Sequence, residues 1–142
     1  MLGKICTTPA TTASPDTTVR EAAHRMRTRK IGALVIVNGR KEPLGVLTDR
    51  DITVNVVAQG ADPAQVRVGA MIKRKPAVIR DSAGILDATK LMSRRGVRRL
   101  PVVNASGQVI GVLSLDDLLM LLGSELANIA STLSSELGRA RI

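Results

Sequence analysis

Hydrophobic positions in the first half of the chain switch between helical spacing and short continuous runs. The helical positions recur every three or four residues and lie on one face: Val19, Ala22, Ala23 and Met26. This helix begins with a capping-box pattern, Thr18-x-x-Glu21. The continuous or strand-like runs are residues 10–14, 33–37 and 44–47. A second helix is predicted over 49–59, ending near Gly60.

The second half of the chain repeats this order of elements. The predicted strands are residues 77–80, 100–103 and 109–113. The predicted helix has Ser82 as its N-cap, and its apolar face consists of Ile85, Ala88, Thr89 and Met92. Gly32 and Gly96 lie just past the two helix ends, where a left-handed residue is favourable. The longer strands are nearly all apolar, which predicts burial on both faces.

An internal repeat explains this recurrence. A shift of 66 positions places Met26 on Met92 and Asp51 on Asp117 without a gap. It also places residues 45–47, GVL, on residues 111–113, again GVL. The pattern predicts a mixed α/β (α+β) protein with two βαββα repeats. We expect repeat 1 at residues 5–66, repeat 2 at 72–130 and a C-terminal helical tail at 131–142.

The helix that closes the second half extends beyond the point where its counterpart in the first half stops. Its apolar residues recur at alternating spacings of three and four, a heptad-like stripe: Leu119, Leu122, Leu126, Ile129 and Leu133. Such a stripe fits a helix that packs back on its own domain. It also fits a dimer contact, which the extension of the stripe beyond the end of the first-half helix slightly favours, and the sequence leaves both interpretations open.

The strongest chemical signal lies where a predicted buried strand meets a helix in each half. Residues 45–51 read GVLTDRD and residues 111–117 read GVLSLDD. Thr48 with Asp51, and Ser114 with Asp117, are good helix-capping pairs. The same geometry suits a nucleotide, because a hydroxyl at a helix N-terminus can meet phosphate and a carboxylate can accept both ribose hydroxyls. The glycine would allow a ligand or a neighbouring strand to approach closely.

Composition narrows the choice of partner. The net charge of +9, from 21 Lys and Arg against 12 Asp and Glu, favours phosphorylated ligands, nucleic acid or acidic proteins. The chain has no Trp, Tyr or Phe, which disfavours binding of single-stranded nucleic acid by base stacking. Cys6 and His24 are the only residues of their kinds, which excludes an intramolecular disulfide and a multi-histidine metal site. Without a signal-peptide or membrane-span pattern, we expect a cytoplasmic protein with no membrane partner.

The two repeats, each ending in Gly-x-x-Thr/Ser-x-x-Asp, resemble a tandem pair of CBS domains, the Bateman module. The resemblance covers roughly residues 5 to 125, and its supporting fragments are residues 30–37, 47–52 and 96–103. It implies two repeats packed by pseudo-twofold symmetry, with two clefts that take AMP, ADP, ATP or S-adenosylmethionine as a regulatory ligand. It also implies a homodimer, no required cofactor and no catalysis.

The resemblance assigns roles to individual residues of this chain. Thr48 and Ser114 would contact phosphate, and Asp51 and Asp117 would contact ribose. Arg98 and Arg99 would supply positive charge in one repeat only, since Gly32 and Ala33 stand at the equivalent positions. The remaining candidates hold the adenine by family position: Thr12, Ile31, Ala33, Val78 and Val97.

These observations predict a non-catalytic sensor that binds an adenosyl ligand and signals to a separate, unidentified protein. No catalytic Cys/His pair, Ser/His/Asp set or glycine-rich phosphate loop occurs in the sequence. One alternative is a ligand-free dimerisation scaffold in which the motifs are only helix caps. The other is a nucleic-acid-binding protein, motivated by the basic residues at 25–30, 73–75 and 94–99.

Overall fold

The computed structural model describes residues 1–139 and has the predicted two-repeat α+β architecture with a long C-terminal helix. Residues 140–142, the end of the expected tail, lie outside the described residues. The elements of the first half are β1 (Thr12–Ala13), α1 (Val19–Arg29), β2 (Ala33–Val37), β3 (Pro43–Thr48) and α2 (Asp49–Ile52). Those of the second half are β4 (Ile79–Arg80), α3 (Ile85–Arg95), β5 (Arg99–Val103), β6 (Val109–Ser114) and α4 (Leu115–Arg139).

Each half contains one three-stranded sheet, and the two sheets have the same topology. β1 pairs in parallel with β2, which pairs antiparallel with β3. β4, β5 and β6 repeat this arrangement, and both sheets shift register at equivalent points, 36/37 and 102/103. Burial on both faces is confirmed for the central strands β2 and β5. It is wrong for β3 and β6, where burial alternates because one face of each hairpin is partly open.

At the ends of α1 and α3, the structure confirms two predicted caps, Thr18 and Gly96, and corrects two others, Ser82 and Gly32. Thr18 Oγ1 accepts a hydrogen bond from Glu21 N at 3.2 Å, and Glu21 Oε2 accepts one from Thr18 N at 3.1 Å. In the second half Gly84, not Ser82, is the N-cap of α3. Gly84 is the repeat equivalent of Thr18. The repeat therefore predicts the position of this N-cap better than the capping preference of serine does.

The left-handed C-cap of α1 is Lys30, with φ of 54°, and not Gly32. Gly96 caps α3 as predicted, with φ of 61°. Lys30 and Gly96 are repeat equivalents, so the turn is conserved between the halves although only one of them uses glycine. Gly32 is therefore available for a different role, at the site described below.

The second helix of the first half is shorter than the predicted span of 49–59. Regular α-helix covers only α2, and a π-helical segment, Thr53–Val57, follows it. Four of these five residues are β-branched, and such side chains lose rotamer freedom in a helix. Only Val56 of this segment is buried.

The molecule has two hydrophobic cores, one in each half. Each core also contains residues from a segment outside that half's own repeat. Leu2 and Cys6, at the start of the chain, pack in the core of the second half with Leu100 and Leu113. Val68, from the connection between the halves, packs in the core of the first half. The two halves therefore exchange segments, which ties their folding together.

Candidate functional site

A cleft of about 280 Å³ lies between the two halves. The first half contributes residues that precede β1 and β2, and the second half contributes residues around the end of β6. The lining residues are Thr7, Ala10, Thr11, Lys30, Ile31, Gly32, Ala33, Arg99, Val112, Ser114 and Asp116. The volume lies near the lower end of the range, about 300–1,000 Å³, of pockets that hold small molecules.

The start of the chain pairs antiparallel with β6 at Thr7 and Val112, two residues that line the cleft. Thr7 N donates to Val112 O at 3.0 Å, and Val112 N donates to Thr7 O at 3.1 Å. This pairing explains the motif glycine, because a Cβ on Gly111 would lie 2.7 Å from Thr7 O. In the first half, a Cβ on Gly45 would lie 2.5 Å from Ile72 Cγ2. Of the two predicted reasons for these glycines, close approach of a neighbouring segment is the one that the structure provides.

Both hydroxyl–carboxylate pairs form complete helix caps. Thr48 Oγ1 accepts from Asp51 N at 3.1 Å, and Asp51 Oδ2 accepts from Thr48 N at 2.8 Å. Ser114 and Asp117 form the same pair of hydrogen bonds, also at 3.1 and 2.8 Å. The capping interpretation is therefore confirmed in both repeats.

Capping does not exhaust the hydrogen-bonding capacity of these groups. Each hydroxyl oxygen accepts the cap hydrogen bond and keeps its own O–H proton to donate. Each carboxylate uses Oδ2 in the cap, and within residues 1–139 its Oδ1 accepts no hydrogen bond. A ligand could therefore bind without breaking either cap.

The two adjacent arginines point to different places. Arg99, at the start of β5, lines the cleft and lies against Gly32 of the first half. A Cβ on Gly32 would lie 3.4 Å from Arg99 Nη2 and 3.1 Å from Asp49 Oδ2, so a side chain there would crowd both charged groups. Arg98 instead forms an exposed ion pair with Asp116, at 3.6 Å.

The structure brings together four of the eleven residues predicted for the site: Ile31, Ala33, Arg99 and Ser114. Thr12 and Asp117 belong to the same two segments but do not line the cleft; the Thr12 carbonyl accepts from Arg25 Nη1 at 2.9 Å. Arg98 and Val97 line a separate shallow depression against α3. The other three, Thr48, Asp51 and Val78, are the repeat equivalents of Ser114, Asp117 and Thr12 in the opposite half.

Several lining residues were missed from the sequence. Lys30 and Asp116 adjoin predicted residues and carry charge, so adjacency was a usable signal. Thr7 and Val112 meet because the start of the chain pairs with β6, and no local pattern indicates that contact.

Cys6 and His24 play no part in this cleft. Cys6 is buried, and burial raises the pKa of its thiol, with a further contribution from the negative charges of Asp117 and Asp81. A raised pKa leaves little thiolate at neutral pH. His24 is exposed on α1, as predicted. Within residues 1–139 there is no cluster of three potential metal ligands among His, Cys, Asp and Glu.

The CBS domain is the family that matches this chain, at residues 2–57 and 68–124. The two matched segments correspond to the two halves of the structure. The chain belongs to the CBS domain family. Its two CBS repeats form the tandem pair that the motifs predict, and proteins composed only of CBS domains are generally regulatory rather than catalytic.

Similar proteins come from both archaea and bacteria. The chain is 35% identical to the CBS domain-containing protein YhcV of Bacillus subtilis over 112 residues, 79% of this chain and 78% of that protein. It is also 35% identical over 120 residues, 84% of its length, to the uncharacterized protein MK0525 of Methanopyrus kandleri. This match covers 61% of MK0525, so the chain spans less than two thirds of that relative.

A solved structure of similar fold contains a nucleotide. The CBS domain protein PAE2072 of Pyrobaculum aerophilum, complexed with AMP, superimposes with a TM-score of 0.76 at 28% identity. The superposition covers 89% of this chain and 98% of that one. Among the described residues of our chain, no helix is both long and apolar enough to cross a membrane.

Proposed function

We propose that this protein is a non-catalytic regulatory module that binds an adenine nucleotide or adenosyl ligand between its CBS repeats and signals to a separate partner protein. The observation that carries the proposal is the joint presence of Ser114 and Arg99 in one cleft with aliphatic side chains. The AMP complex of the similar protein PAE2072 supports it. We place this module in the cytoplasm and expect it to work as a homodimer.

The chemistry of the cleft fits the parts of such a ligand. The Ser114 hydroxyl can donate to phosphate, and the Arg99 guanidinium can add charge-assisted hydrogen bonds. The aliphatic side chains of Ile31, Ala33 and Val112 provide an apolar surface for adenine. Asp117 does not itself line the cleft, but it lies in the helical turn that begins at Ser114 and its Oδ1 is not used in the cap, so we assign to Oδ1 the ribose of a ligand that extends past the cleft lining.

The charge balance favours a weakly anionic ligand in this cleft. Lys30 and Arg99 are positive, Asp116 is negative, and the carboxylate of Asp49 meets Arg99 in front of Gly32. The repeat-equivalent positions on the other side gain positive charge at three places, with Lys73 for Thr7, Arg98 for Gly32 and Arg50 for Asp116. They lose it at two, with Gly96 for Lys30 and Ala33 for Arg99, and carry no carboxylate at the positions of Asp116 and Asp49. We therefore propose that the second cleft is the more basic one and takes the more highly charged ligand.

Calorimetric melting with AMP, ADP, ATP and S-adenosylmethionine tests the ligand class. A ligand at 100 times its Kd adds about 2.7 kcal/mol to the free energy of unfolding. For a chain of this size the melting temperature should then rise by roughly 5–10 °C. Calorimetry suits this chain better than a hydrophobic dye, because α4 exposes leucines that would bind the dye.

The adjacent arginines offer a matched pair of variants for the cleft. Arg99→Ala removes charge-assisted hydrogen bonds of about 1.5–3 kcal/mol. The affinity for AMP should then fall by roughly 10- to 150-fold in titration calorimetry. Arg98→Ala should change the affinity of this first cleft by less than about threefold, because its ion pair with Asp116 is exposed and contributes little. Any loss that it causes should fall on the second cleft, to whose wall we assign Arg98. Equal losses in both variants would contradict the placement of phosphate beside Arg99.

The complete caps favour one second candidate, a ligand-free dimerisation scaffold. If millimolar ligand leaves the melting temperature unchanged and the protein still dimerises, the scaffold function is the one to assign. Nucleic-acid binding is a separate alternative, and it would show binding to RNA or DNA that weakens steeply with salt.

A further inference from the structure

The C-terminal half of α4 stands away from the rest of the protein. Near the start of this helix Leu118 is buried, and Leu115 and Leu121 are half-buried. From Leu122 to Arg139 every residue is exposed. These 18 residues form a projecting helix of about 27 Å.

This projecting helix carries an unpartnered apolar stripe, which begins one turn earlier. Its members are 48% to 68% exposed and are spaced by three or four residues: Leu119, Leu122, Leu126, Ile129, Leu133 and Leu137. Leu137 extends the stripe by one turn beyond the residues that the heptad pattern selects. An isolated helix of this length is only marginally stable in water. The stripe therefore needs a partner for the helix to persist.

The polar face of the helix argues against a membrane surface as that partner. Helices that lie on membranes carry Lys and Arg on their polar face. Between Leu119 and Arg139 the charged residues are Glu125, Glu136 and Arg139 itself. This segment has a net charge of −1, although the chain as a whole is strongly basic.

We propose that the stripe packs against the same stripe of a second copy of this chain. Alternation of three and four is the spacing that lets two identical helices interlock, so the stripe is complementary to itself. Gly123 and Ala130 on its flank allow close approach of the partner helix. Six side chains per copy, each leaving about 100 Å² exposed, would bury roughly 1,200 Å² in total, the lower limit for a specific interface.

This interface rests on the homodimer expected under the proposed function and not on the ligand, so loss of ligand binding and loss of the dimer are distinguishable failures. Multi-angle light scattering of the full chain at about 100 µM should give twice the 15.0 kDa of one chain. The double variant Leu126→Glu/Leu133→Glu should give the single-chain mass. The control Asn128→Glu/Ser135→Glu adds the same charge to the opposite face of the helix and should keep the dimer mass.

The stripe variant could lose the dimer because its whole fold is less stable. Circular dichroism separates that case from loss of the interface alone. On dilution, the wild-type helical signal should fall by the contribution of the projecting helix as the dimer dissociates. The stripe variant should have the lower signal at every concentration while its body still melts cooperatively. A single-chain mass for the wild type, or a dimer mass for the stripe variant, overturns the proposal. So does a monomer that floats with vesicles of phosphatidylcholine and phosphatidylserine.

Discussion

At the scale of single residues, function and packing compete for the same positions. The motif glycines are required by segments that pack closely against β3 and β6, and Gly32 by two charged groups that meet in front of it. The motif hydroxyls and carboxylates serve as caps and still have hydrogen-bonding capacity left. Residue type alone therefore does not decide between helix capping and ligand binding. The hydroxyl oxygen and the carboxylate Oδ2 form the cap, while the hydroxyl proton and Oδ1 can still bind a ligand.

Gly111→Ala tests the pairing of the first residues with β6. The added Cβ would lie 2.7 Å from Thr7 O and 2.8 Å from Cys6 Sγ. We expect a loss of about 1–3 kcal/mol in the free energy of unfolding, measured with urea, because the paired segment must move. The control is Gly138→Ala, at a helical position with open space that lies off the apolar stripe, which should leave the free energy of unfolding unchanged or raise it by up to about 1 kcal/mol. A neutral Gly111→Ala would show that the first residues do not hold β6 as described.

At the scale of elements, the repeat equivalence predicts local structure better than residue preferences do. Gly84 caps α3 although Ser82 is the better capping residue, and Lys30 takes the left-handed position that Gly96 takes in the other half. In both cases the backbone path around a shared core selects the position. The same junction of β6 and α4 carries both the cap and a wall of the cleft.

Replacing Ser114 separates the cap from the ligand. Ser114→Asp keeps a good N-cap, so the melting temperature should stay within a few degrees of wild type. Its carboxylate would repel phosphate, so binding of AMP should be lost. Ser114→Thr, which copies Thr48, should retain both properties, whereas Ser114→Ala should lose about 1 kcal/mol of stability as well as affinity. AMP binding by Ser114→Asp at wild-type affinity would exclude phosphate from this position.

At the scale of the whole molecule, the two halves are equivalent in fold and different in charge. They exchange segments into each other's cores, and their hairpin loops touch: Val109 N donates to Lys41 O at 2.9 Å. The difference is concentrated around the clefts, where Lys73, Arg98 and Arg50 replace uncharged or acidic equivalents. A duplicated fold can thereby present two unequal binding sites.

Removing each motif aspartate separately tests this inequality. Asp117→Ala should abolish binding in the first cleft, and Asp51→Ala in the second, because each variant loses the acceptor assigned to ribose. In titration calorimetry each variant should keep one site. The second cleft, which Asp117→Ala leaves intact, should prefer ATP over AMP, since the residues that we assign to its wall are more basic than those of the first cleft. The same residual preference in both variants would contradict the proposed difference between the clefts.

Periodicity and duplication along the chain predicted the two repeats, the central strands, the capping pairs and the long final helix with its apolar stripe. The repeats follow from a shift of 66 residues, and each of the other features is encoded within about 25 neighbouring residues. Which distant groups meet depends on tertiary packing. That packing pairs Thr7 with β6, directs Arg99 into the cleft and Arg98 towards solvent, and leaves the stripe of α4 uncovered. Such contacts depend on how two cores pack together, and no spacing along the chain encodes that packing.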